Sequence, residues 1–192
     1  QMKISIISVI TAVFTITSTP AFAGSVDLKE STFKWTGSKT IGSTHTGKVS
    51  LKSAKFKSDK GKIKSATFVM DMKSITNDDL EGEWQEKLLG HLKSADFFDV
   101  NKFPTATLKL NRATAANELS GKLTIKGKSQ EVKVKYKPAK DGFYTGTLNF
   151  DRTKFGVIYG SGNFFKNLGD KMISDEVKVD FRVRIKGAGS KS

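Results

Sequence analysis

Two histidines, two pairs of adjacent acids and one Gly-Ser-Gly step are the groups in this 192-residue sequence that could do chemistry. His45 stands in Ser43-Thr44-His45-Thr46-Gly47, and His91 in Leu89-Gly90-His91-Leu92-Lys93. Neither has a second imidazole or carboxylate at the spacing a metal ion needs, so both read as structural or surface residues and no metal site is expected. Asp78-Asp79 and Asp175-Glu176 could be acid–base pairs, but their settings are those of turn and helix-start carboxylates. Gly160-Ser161-Gly162 lacks the strand-to-helix frame of a nucleophile elbow. With no cysteine in the chain, thiol nucleophiles and thiolate metal sites are excluded. The reading is of a protein that is not an enzyme and carries no cofactor; a barrel hydrolase or isomerase would need a polar group inside the fold.

One further segment stands out. Phe155-Gly156-Val157-Ile158-Tyr159-Gly160-Ser161-Gly162-Asn163-Phe164-Phe165 is glycine-rich and aromatic, too apolar for an idle solvent loop. It reads either as a structural plug or as a lid over a ligand mouth.

The elements that must position these residues are strands. Apolar and polar residues alternate with period two through Phe33 and Trp35, through Gly47, Val49 and Leu51, and through Ala66, Phe68, Met70 and Met72. They alternate again at Ala106, Leu108 and Leu110; at Leu119, Gly121, Leu123 and Ile125; at Val132, Val134 and Tyr136; and at Tyr144, Gly146, Leu148 and Phe150. Val177, Val179, Phe181, Val183 and Ile185 are the clearest run. In the second run the phase slips after Ser53, so that Ala54 and Phe56 carry the apolar side, which predicts a bulge. Asp59-Lys60-Gly61, Lys126-Gly127-Lys128 and Lys140-Asp141-Gly142 supply tight turns, which antiparallel neighbours can use. From Asn77 to Asp99 the spacing becomes helical, with Leu80, Trp84, Leu88 and Leu92 on one stripe and Asn77 or Asp78 as the cap. The chain is therefore expected to be all-β: about eight antiparallel strands in an up-and-down, lipocalin-like barrel, with a short helical insertion between strands three and four.

A barrel of that size either fills its interior with side chains or holds one slender guest. Gly47, Gly121 and Gly146 fall on inward positions; they read equally as room for a guest or as relief of crowding where strands bend.

The remaining bounds are global. Residues 1–23 read as a secretory signal peptide: Met2-Lys3, an apolar stretch from Ile4 to Phe14, then Pro20-Ala21-Phe22-Ala23 before the cut. Residues 24–192 form one domain, expected in the periplasm. With 33 Lys+Arg against 19 Asp+Glu the formal charge is +14. The lysines alternate with apolar residues, as in Val132-Lys133-Val134-Lys135, so they describe an outer wall; weak contact with an anionic membrane surface is expected and nucleic-acid binding is not.

The run from His91 to Asp99, containing Asp96-Phe97-Phe98-Asp99, and Lys102-Phe103-Pro104-Thr105-Ala106-Thr107 after it, resembles the YceI-like family. Gly121 to Gly127 and Asp151-Arg152-Thr153-Lys154-Phe155-Gly156 resemble it too, in the same order. The resemblance implies bacterial export and a barrel that binds a polyisoprenoid lipid, of quinone or polyprenol type, along its interior. The inward residues expected to line it are Trp35, Val49, Leu51, Phe68, Met70, Leu108, Leu123, Ile125, Val134, Val179, Phe181 and Val183 on strands. Trp84, Leu88, Phe98, Phe155, Tyr159 and Phe164 join them from the helix and loops. The alternative is a barrel with a filled core, acting without lipid as an envelope stress or interaction module.

Overall fold

The computed structural model describes residues 24–59 and 62–186. The leader read at residues 1–23 and the Lys60-Gly61 part of the first turn lie outside them. Nine strands form one antiparallel sheet curled into a half-barrel. They are β1 (Ser25–Ser38), β2 (Thr44–Lys48), β3 (Ser50–Asp59), β4 (Lys62–Asp71), β5 (Thr105–Ala115), β6 (Glu118–Ile125), β7 (Lys128–Pro138), β8 (Phe143–Asp151) and β9 (Glu176–Lys186). The sheet order is β2-β1-β9-β8-β7-β6-β5-β4-β3, so that β3 to β9 run as an up-and-down meander. Among the described residues one α-helix, α1 (Gly82–Lys93), lies between β4 and β5.

The strand count exceeds the expected eight because the second run divides at Val49. Its first part pairs with β1 and its second with β4, and these two successive pieces are the two edges of the sheet. The Val49 N–H donates to Phe33 O (3.1 Å), which holds the crossing point against β1. The chain after β4 then laces along this run. Lys48 O accepts from Thr76 N, Thr46 O accepts from Asp78 N, and Ser74 Oγ accepts from Ser50 N. Backbone groups of an edge that would otherwise invite another strand are thereby covered. The bulge read after Ser53 is present, as a register shift between Leu51 and Ser53.

Burial follows the alternation. In β4, Ile63, Ala66, Phe68 and Met70 face the core while Lys62, Lys64 and Ser65 face out. In the turn between β6 and β7, Lys126 and Gly127 both take positive φ (51° and 73°), the geometry whose twist matches that of the flanking strands.

The helix departs from its reading at its N-terminal end. Leu92 is buried and Leu88 and Leu89 pack on the core, but Trp84 is 70% exposed, with Lys87 Nζ 5.1 Å from its ring centre. The helix meets the barrel through its C-terminal turn and the following Phe97 and Val100, so its first turn overhangs the rim. The cap also differs. Glu81 precedes the helix without a side-chain bond, while Asn77 organises the turn before it by accepting from Leu80 N and donating to Thr46 O.

Candidate binding cavity

The inner faces do not meet everywhere. Between β1, β4, β5, β6, β8 and β9 they leave a partly open hollow of about 140 Å³. Its wall is almost wholly hydrocarbon and aromatic. Trp35, Met70, Leu108, Leu123, Ile125, Val179 and Phe181 line it from strands, Val49 from the break between β2 and β3, and Phe98 from the loop after α1. Phe33, Met72, Leu148, Phe150 and Ile173, which the sequence reading did not nominate, line it as well. Phe33 shares a face with Trp35, and Leu148 and Phe150 share one with Gly146, so the alternation held the signal for them.

The other nominated residues sit elsewhere. Phe68, Val134 and Val183, with Phe181 again, border a separate space of about 20 Å³ in the other half of the interior. Leu51 is buried and stands opposite Met70, outside both spaces. Leu88 packs on the core from α1 without reaching the hollow, and Phe155 (1% exposed) packs edge-on against Phe150. Trp84, Tyr159 and Phe164 point outward, at 70%, 48% and 55% exposure. They overhang the rim on α1 and on the 156–165 loop, whose buried members are Val157, Gly160 and Ser161. The interior expected to take a lipid along its length is thus corrected to a hollow in one half and close packing in the other.

The inward glycines are places of close approach. A Cβ on Gly47 would collide with Thr76 O and come 2.7 Å from Trp35 Nε1, and one on Gly121 would collide with Lys109 O. One on Gly146 would come 2.9 Å from Cε1 of the Phe181 ring. These glycines are filled by their neighbours, so the room they leave belongs to the wall and not to a guest.

Polar groups near the hollow are spoken for. The Trp35 indole N–H donates to Thr76 O (3.0 Å), leaving its ring face to the cavity. Arg152 also borders the hollow, yet its side chain is 1% exposed. Its Nε donates to Ser174 O, Nη1 to Val157 O and Tyr159 O, and Nη2 to Ile173 O and Asp175 Oδ1. All five guanidinium N–H groups are therefore used inside the protein. Burial pushes the Arg152 guanidinium down from its ordinary value, opposed by Asp175 and then Asp151, and it remains a cation. Asp175 Oδ2 in turn accepts from Ser161 Oγ and Asn163 Nδ2. The aromatic loop is thus stapled down at its base, with Tyr159 and Phe164 at its outer surface. Asp151 accepts from Thr153 N and Oγ1 and caps the turn.

The histidines stand apart from the hollow. His45 Nδ1 is 2.7 Å from Asp79 Oδ2, and Asp79 Oδ1 accepts from Thr46 N and Asn77 Nδ2, a clamp between β2 and the segment before α1. Burial works against charge on Asp79, but the bonds from Thr46, His45 and Asn77 outweigh it and hold the carboxyl below its usual range. His91 lies between the rings of Tyr159 (4.4 Å) and Phe97 (5.4 Å), and burial holds its imidazole below the ordinary value while Asp96 pulls the other way. Ser161 is fully buried on Asp175.

The YceI-like domain profile matches residues 25–185. Among solved structures, Burkholderia cenocepacia BcnA is 28% identical, with a TM-score of 0.61, over 82% of this chain and 98% of that one. A polyisoprenoid binding domain from Saccharophagus degradans, implicated in plant cell wall breakdown, is 15% identical, with a TM-score of 0.55, over 84% and 96%. A Campylobacter jejuni YceI protein is 18% identical, with a TM-score of 0.51, over 92% and 93%. No curated protein matches. The domain profile spans most of the sequence and almost the whole described fold, and on that ground the chain belongs to the YceI-like family.

Proposed function

We propose that this protein is a periplasmic binding or carrier protein that takes the tail of a long-chain polyisoprenoid lipid, of quinone or polyprenol type, into its apolar hollow. The observation that carries the reading is the partly open hollow with its hydrocarbon wall, near which the polar groups of Trp35 and Arg152 are already engaged. Each buried methylene is worth about 0.8 kcal/mol, so a prenyl chain needs no directional contact to be held. The polyisoprenoid-binding domain of Saccharophagus degradans, alike in fold, supports the same class of guest. The role is binding, with His45 and His91 serving the scaffold. At rest the hollow is of the size that takes up one benzene ring, so a longer tail has to move side chains in the lining. A filled core describes only the half around Val134 and Val183. The outward aromatic side chains of Tyr159 and Phe164 support weak membrane contact at the rim.

Organic extracts of protein purified from its native host, examined by mass spectrometry, test this. The wild type is expected to carry a prenyl lipid, and Leu123→Trp, which fills the hollow from β6, is expected to lose it while keeping a cooperative melt. Wild-type protein that is empty and has no affinity for added prenyl lipids would overturn the reading.

A further inference from the structure

Phe181 borders both the hollow and the small second space, so it stands on the boundary between them. Across from it on β1 is its register partner Phe33, stacked at 5.9 Å between ring centres. Phe33 meets Phe68 of β4 at 5.5 Å. The three rings, from β9, β1 and β4, cross the interior as a partition. On its other side Phe181 pairs with Gly146 of β8, and its ring lies where a side chain on Gly146 would be. The missing Cβ is the seat for the ring. Phe33 and Phe68 are 2% and 5% exposed, whereas Phe181 is only partly buried, so it is the member with room to turn.

Resting on the lipid-tail reading, we propose that Phe181, seated on Gly146, sets the length of hydrocarbon tail that this protein accepts. A tail that ends within the hollow leaves the ring in its seat. A longer one meets the partition and must lift Phe181 and then part the close-packed side chains beyond it, among them Ile63, Leu119, Val134 and Tyr144. Lifting the ring gives up its contact with Phe33 and its place over Gly146. The affinity gained per added isoprene unit therefore falls at the length where tail and ring meet.

The test is a binding series of linear prenols of increasing unit number, read by quenching of Trp35 fluorescence, on wild type, Phe181→Ala and Phe181→Leu. Trp84 is changed to Phe in all three, to leave one reporter in the wall. Burial of hydrocarbon predicts about a tenfold or greater gain per added unit up to a break in the wild type. Phe181→Ala moves the break to a longer chain, so the step from the last prenol before the wild-type break to the first one beyond it gains about tenfold more in the variant than in wild type. Phe181→Leu, the milder cut, moves the break the same way and serves if the alanine variant melts too low to titrate. A break at the same length in wild type and in the folded variants overturns the role of Phe181 and leaves the lipid-tail reading standing. Absence of prenol binding by the wild type at any length overturns both.

Discussion

Replacing Arg152 with Met should remove roughly a quarter or more of the stability of this domain without touching the hydrocarbon wall opposite. Five N–H donors vanish, and the carbonyls of Val157, Tyr159, Ile173 and Ser174 lose their partner, as does Asp175. Val157 is fully buried, so no water stands by to replace the lost bond there. Breaking one side of a buried ion pair costs about 3–5 kcal/mol, and each buried acceptor left bare about 1–3 kcal/mol. The methionine recovers part of this by ending the desolvation of a cation, which puts the expected loss near 4 kcal/mol, against a total of about 5–15 kcal/mol for a domain. Arg152→Lys keeps the charge but offers three donors from a point instead of five from a fork, and should lose about 2 kcal/mol. Urea denaturation with an unchanged slope is the assay. In a double-mutant cycle with Asp175→Asn, which still offers an acceptor to Ser161 and Asn163, the two losses should fall short of additivity. An Arg152→Met protein within about 1 kcal/mol of wild type would refute the staple. So would unchanged stability of Arg152→Lys combined with selective loss of affinity for lipids with anionic head groups, since that is the behaviour of a ligand contact.

Gly121→Ala should cost about 2 kcal/mol, because the new methyl collides with the Lys109 carbonyl on β5, and strand backbone cannot swing aside as a side chain can. A denaturation midpoint matching wild type would show that the strands have room to part there. His91 sets an acid-side limb of stability. Its folded value lies below the roughly 6.5 of the unfolded chain, so between the two values the unfolded state binds more protons. Stability is therefore full above about pH 6.5, falls as the pH drops toward the folded value, and levels off below it. A series of thermal melts from about pH 7.5 to 5 should slope for wild type and be flatter for His91→Gln, and parallel curves would rule out this residue as the source.

Much of this was legible because burial on a strand has period two. Val177 to Ile185 could be assigned a strand from sequence, and β9 runs from Glu176 to Lys186. What the period cannot encode is which strand lies alongside. The division at Val49 depends on a bond to Phe33 and on the chain from Ser74 to Asp78 lying over the run, both set by partners distant in sequence. The inward glycines posed the same difficulty. Whether Gly146 opens space or closes it is decided by its two cross-strand neighbours, the Lys135 carbonyl on β7 and the ring of Phe181, 35 positions later in the chain. Arg152 shows a different limit. Its ion-pair partner is Asp175, 23 positions away in the chain, while the adjacent Asp151 caps the turn that follows it. Trp84 followed the helical spacing correctly and still faces solvent, since a stripe says which side of a helix is apolar and not how far the surface beneath it extends.

An apolar hollow has a natural tendency to collapse, because atoms lining a void forfeit dispersion contacts that closure would restore. Here the backbone around the hollow is fixed by polar anchors that point away from it. Trp35 is tied to Thr76 O, Arg152 to four carbonyls of the 157–159 and 173–174 segments, and Lys126 Nζ to Ala95 O and Phe97 O in the turn after α1. In the first two cases the same residue gives an apolar or shielded face to the cavity and spends its hydrogen bonds on the frame. The Asp96-Phe97-Phe98-Asp99 turn, so prominent in the sequence, is held in this way by Lys126 so that Phe97 and Phe98 stand in the wall. The frame resists closure with bonds that a guest does not need, and what remains for a guest is shape and hydrocarbon. Selectivity at such a site has to act through length and bulk, which is why the aromatic partition at Phe181 matters more than any charged residue near the rim.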